Sequence, residues 1–154
     1  FMNGRTRIAH RLFLGLALLA ATACGDETVS VDPALAALVG DWEATSLVVT
    51  NVANPAVAPD LIDLGATFDL NVQPSGQYTA ILIVALQSST EVGQVSVSGA
   101  SVTLRPTFPP GRAATTGTYE LSGDALLIQG TTEFDFNLDG TPEPALARFE
   151  LIRK

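Results

Sequence analysis

Thr67-Phe68-Asp69-Leu70-Asn71-Val72, the turn Pro74-Ser75-Gly76, and Tyr78-Thr79-Ala80-Ile81-Leu82-Ile83-Val84 decide how this chain folds. Side chains alternate across a strand, so Phe68, Leu70 and Val72 share one face and Thr67, Asp69 and Asn71 the other. After the turn, Tyr78, Ala80, Leu82 and Val84 carry the same apolar face back. Ile81 and Ile83 make the opposite face apolar too, which predicts that this second strand is covered on both sides. The unit is an antiparallel hairpin, and the rest of the chain repeats it.

Downstream, Tyr119 and Leu121 run through Ser122-Gly123-Asp124 into Leu126 and Ile128, and the even positions continue through Phe134, Phe136 and Leu138. The last strand sets Phe149 and Leu151 against Arg148 and Glu150. Strands are expected near 41–51, 66–73, 76–86, 91–97, 100–105, 114–121, 124–138 and 143–153. Asn51–Asp60 and Pro106–Ala113, both proline-rich, read as loops. Upstream, Asp32 caps, Pro33 opens and Gly40 closes a helix of about two turns. Eight antiparallel strands with short turns fit an up-and-down barrel or a two-sheet sandwich.

The N-terminus has a different logic. Arg5, Arg7 and Arg11 precede the apolar run 12–20, and Ala21-Thr22-Ala23 leads to Cys24, the only cysteine. A positive start, a short apolar middle and a small-residue end make a secretory signal peptide. The run is too short to span a bilayer, which takes about 20 apolar residues. Met2 reads as the start. Cysteine directly after the cut resembles the lipobox of bacterial lipoproteins, which implies lipidation at Cys24. The division expected is a signal peptide at 1–23, a lipidated tether at 24–32 and a β-domain at 33–154. Gly25 after the cysteine favours the outer membrane of the cell envelope.

Cleavage before Cys24 leaves 131 residues, one domain's worth. His10, the only histidine, goes with the signal. Histidine-dependent catalysis and zinc sites built on Cys or His are thereby excluded. Carboxylate pairs can run glycoside hydrolysis without histidine, but the acidic residues sit mostly at turns and on outward faces. The chain reads as non-enzymatic, with no catalytic residues. Five basic residues then face all sixteen acidic ones, a net charge of −11. Nucleic acid is excluded as a partner, and membrane attachment falls to the lipid.

Gly40-Asp41-Trp42 after a short helix, Gly76-Gln77-Tyr78, and Gly117-Thr118-Tyr119 running on to Leu121-Ser122-Gly123-Asp124-Ala125-Leu126 resemble bacterial lipocalin-like domains. The resemblance implies an eight-stranded barrel that holds a small apolar ligand or lipid. It implies too that Trp42 closes one barrel end with an arginine across it. Arg153, on the parity of Phe149 and Leu151, is the candidate for that cation–π contact. Inward candidates for the pocket are Trp42, Phe68, Leu70, Tyr78, Leu82, Tyr119, Leu126, Phe134, Phe136 and Phe149. The same residues can instead pack into a filled core. In that case the chain is a structural or interaction module, docking a protein or glycan on its outer face. Leu47, Val49, Ile81, Ile83 and Leu127 are apolar on the outward parity and would form that face.

One loop has metal-binding spacing. Asp135, Asn137, Asp139 and Glu143 offer side-chain oxygens around Gly140, with the Thr141 carbonyl between them, in the manner of calcium loops. The twelfth position of a full EF-hand falls on Leu146, so a shorter extracellular type is the closer match. Asp139-Gly140 is equally a hairpin turn signal. The expectation is no cofactor, with structural calcium in this loop as the alternative.

Overall fold

The computed structural model describes residues 32–154; the expected signal peptide, Cys24 and the expected tether up to Val31 lie outside them. The chain forms α1 (Pro33–Ala36) and eight strands: β1 (Gly40–Asn51), β2 (Thr67–Val72), β3 (Gln77–Val84), β4 (Gln87–Ser98), β5 (Ser101–Phe108), β6 (Thr115–Ser122), β7 (Ala125–Phe134) and β8 (Glu143–Arg153). Each strand pairs with the next, and the order closes on itself as a barrel. Every pairing is antiparallel, β8 on β1 included. Closure leaves a single interior, so the sandwich alternative falls away.

α1 is one turn rather than two. Asp32 accepts the Ala34 N–H at 2.9 Å, and Leu38 N–H then tightens onto the Leu35 carbonyl. This drops Leu38, 2% exposed, into the barrel end beneath the helix.

The hairpin that decides the fold pairs Phe68 with Leu82, Leu70 with Ala80 and Val72 with Tyr78. Its inward face is as the alternation predicts, but Ile83 on the other face is 37% exposed. A closed barrel buries one face of each strand, so β3 is not covered on both sides. Leu47 and Val49 are corrected in the opposite sense. They are 2% and 3% exposed and point inward. The pairing of β1 with β8 slips between Ala44 and Ser46, and this bulge flips the parity that starts at Trp42.

The bulge also makes room for a ninth extended segment. β2 pairs with β1 only from Gly40 to Glu43. Above that, Leu61 N–H donates to Leu47, and Val49 and Asn51 N–H donate to Pro59 and Val57 carbonyls. Asp60 pins the junction, accepting from Ser46 Oγ at 2.7 Å and from the Leu47 and Ile62 N–H groups at 3.0 Å. Burial works to raise its pKa, but these hydrogen bonds outweigh it and hold the carboxyl below its ordinary 3.8. Asp60→Ala is expected to cost about 2 kcal/mol by leaving those donors unpaired. A depressed carboxylate stabilises the fold above its unfolded pKa and stops doing so as pH falls through the folded value. The stability gap between wild type and Asp60→Asn should therefore be full at pH 7 and close below about pH 4. Urea titrations across that range measure it; a gap that persists in acid refutes the assignment.

β3 and β4 begin and end differently from the expectation because their turn lacks a glycine signal. Val84 pairs with Gln87, leaving Ala85 and Leu86 as a two-residue turn with φ of 49° and 66°. Such a turn favours Asn-Gly, and each residue forced into the left-handed region costs about 1–2 kcal/mol. Replacing Ala85-Leu86 with Asn-Gly should raise the urea midpoint, by about 1–2 kcal/mol in stability; no gain would mean that the turn is not left-handed.

Candidate functional site

The barrel has two unlike ends. At the end where β1 starts and β8 finishes, Trp42 is fully buried and donates its indole N–H to the Leu38 carbonyl at 2.9 Å. The Arg153 guanidinium lies 4.2 Å over the Trp42 ring. It donates to the Val39 and Ala37 carbonyls at 2.6 and 3.1 Å. Gly40, at φ 140°, passes so close that a Cβ there would sit 2.6 Å from Arg153. Leu70, Val72, Tyr78, Val95, Leu126 and Leu151 pack solidly beneath this lid.

Above that plug is a cavity of about 320 Å³. Inward-facing residues of all eight strands line it, among them Leu47 on β1, Phe68 on β2, Leu82 on β3, Glu91 on β4, Leu104 on β5, Gly117 on β6, Phe134 on β7 and Phe149 on β8. The volume lies near the low end of small-molecule sites, roughly 300–1,000 Å³. The wall beside it is slotted. β6 meets β5 no higher than Thr115 opposite Leu104, and meets β7 no higher than Gly117 opposite Gly130. Arg105–Phe108 therefore pairs only with β4, and Thr131–Phe134 only with β8. The loop from Pro109 to Ala114 bridges the slot and brings Arg112 to the cavity's edge.

Of the inward aromatic and aliphatic candidates, Phe68, Leu82, Phe134 and Phe149 line the cavity. Phe68 and Phe149 pack ring to ring with centroids 4.9 Å apart. Trp42, Leu70, Tyr78 and Leu126 belong to the solid plug, with Tyr119 against it. Phe136 lies beyond the end of β7, packs edge-on to Phe134 at 5.0 Å and is not part of the lining.

The polar group of the cavity has no signature in the sequence. Glu91 faces inward, accepting the Tyr78 hydroxyl at 2.6 Å on one oxygen and Arg112 at 3.2 Å on the other. Burial, with the hydrogen bond to Glu91 and its charge, pushes the Tyr78 hydroxyl above its usual range. Tyr78 thus stays a donor. Glu91 sits among Gln87-Ser88-Ser89-Thr90, where no apolar alternation marks the inward face, and Arg112 lies in a loop. Only the pairing register places them together.

The loop from Asp135 to Glu143 orders itself. Asp135 accepts from the Asp139 and Gly140 N–H groups at 3.2 and 2.8 Å, and Asn137 accepts from Asp139 at 3.0 Å. Asp139 accepts from Thr141 N–H at 2.8 Å, which chiefly holds its carboxyl below the usual range. Glu143 accepts from Phe136 N–H at 3.0 Å. Among the described residues, no three acidic, histidine or cysteine side chains gather as a metal site; these oxygens turn to backbone N–H groups.

Around the open end stand Leu86, 99% exposed, Leu138, 87% exposed, and Phe108, 55% exposed. No family model, curated protein or solved structure matches the chain.

Proposed function

We propose that the chain is a lipocalin-like barrel of the bacterial cell envelope. It is lipid-anchored to the outer membrane through Cys24 and holds one small apolar molecule. The observation that carries this reading is the 320 Å³ cavity, built from all eight strands and lined by Leu, Val, Ile and Phe side chains together with threonines, glycines and the Glu91–Arg112 pair. An eight-stranded barrel is just wide enough for its own side chains or for one small ligand, and this one leaves space unfilled beside an opening. The role is binding, with no reaction assigned.

Leu86, Leu138 and Phe108, exposed on three segments around the open rim, favour a second reading, docking on another envelope protein through that end. Native mass spectrometry of protein purified from cells separates the two. An apolar mass that leaves on organic extraction supports the ligand; a bare chain that stays bare after incubation with lipid mixtures supports the docking module.

A further inference from the structure

The charged side chains that meet at the cavity's edge are Glu91 and Arg112; Glu133, beside Phe134 on β7, is exposed on the opposite parity. Arg112 and Glu91 already pair at 3.2 Å, so the guanidinium charge is spent on a carboxylate of the protein itself. A ligand carboxylate at this edge would meet the Glu91 carboxylate and a cation that it already compensates. Partial desolvation makes such an imbalance more costly than in water. An uncharged oxygen meets no such penalty. A guanidinium carries five N–H donors, and Arg112 directs one nitrogen at Glu91 while its side chain stays 58% exposed. The rest of the fork is free to donate, and the Thr115 and Thr132 hydroxyls stand on the same lining.

We propose that the cavity selects uncharged ligands, molecules with an apolar body and one hydrogen-bond-accepting oxygen such as an ester, ketone or alcohol, and rejects the matching carboxylate. This rests on the cavity being a ligand site. Glu91 is the residue that sets the preference, by neutralising Arg112 before any ligand arrives.

The test is calorimetric titration of the full chain with methyl decanoate and with decanoate at pH 7.5, reading the one-to-one component. Methyl decanoate should bind at least tenfold more tightly than decanoate. Glu91→Gln keeps an acceptor for Tyr78 and releases the Arg112 charge. It should raise decanoate affinity at least tenfold and narrow the gap between the two probes. Arg112→Gln, on an exposed loop, should weaken methyl decanoate about fivefold with an unchanged circular dichroism spectrum, and covers the case in which Glu91→Gln does not fold. Equal binding of the two probes to wild type, or no gain for decanoate in Glu91→Gln, overturns the selectivity and leaves the cavity standing. Binding of neither probe to any form overturns the ligand site and the selectivity with it.

Discussion

Trp42→Ala is expected to remove about 3–5 kcal/mol of stability, the range for deleting a fully buried large aromatic. A domain of this size holds about 5–15 kcal/mol in total, so the variant should sit near its unfolding threshold at 37 °C. The side chain is 0% exposed, so the whole ring is lost from packed surroundings. Its N–H also satisfies the Leu38 carbonyl, and its face supports Arg153. Losing it frees α1, Leu38 and Arg153 together, which opens the closed end of the barrel. Trp42 is the only tryptophan, so unfolding has to be followed by circular dichroism rather than fluorescence. Arg153→Ala should cost less, about 1–2 kcal/mol, because the cation–π contact goes while the ring stays buried. A Trp42→Ala loss under about 1 kcal/mol would show that the plug is not what closes this end.

The second large effect is on binding, not on stability. Ala80 lines the cavity on β3, opposite Leu70 on one side and Glu91 on the other. Ala80→Trp sends an indole into the space a ligand would take. Overpacking a filled core costs about 1–3 kcal/mol; here the ring enters empty volume, so the expected change is within about 1 kcal/mol. Affinity for methyl decanoate should fall more than tenfold, and any apolar mass carried through purification should disappear. A variant that is strongly destabilised and still binds would place the ligand outside the barrel.

The two variants probe features that differ in how they can be read. Trp42 and Arg153 carry local signals, a Gly-x-Trp after a short helix and a parity shared with Phe149 and Leu151. The hairpins at Pro74-Ser75-Gly76 and Ser122-Gly123-Asp124 carry turn residues that say where the chain reverses. Ala85-Leu86 carries no such residue, and so β4 starts at Gln87 instead of near 91. β7 stops at Phe134 although its alternation runs on through Phe136 and Leu138, because Asp135 turns its carboxylate onto the N–H groups that follow and bends the chain. Leu47 and Val49 face inward against the parity of Trp42 for a related reason. One extra residue in β1 reverses every side chain after it, and nothing in Ala44-Thr45-Ser46 advertises a bulge.

By itself, the sequence determined that the domain is all-β, with strands of period two joined by short turns and an inner face rich in Phe, Leu and Val. Those properties belong to neighbouring residues, since alternation and turn chemistry act over a few positions of chain. Only the tertiary structure decided that the sheet closes, that β1 slips by one residue, that β6 is too short to seal the wall, and that Glu91 meets Tyr78 and Arg112 beside the cavity. Each of these depends on register between strands far apart in the chain. Register is set by the sum of all pairings around the barrel, and no single segment contains it.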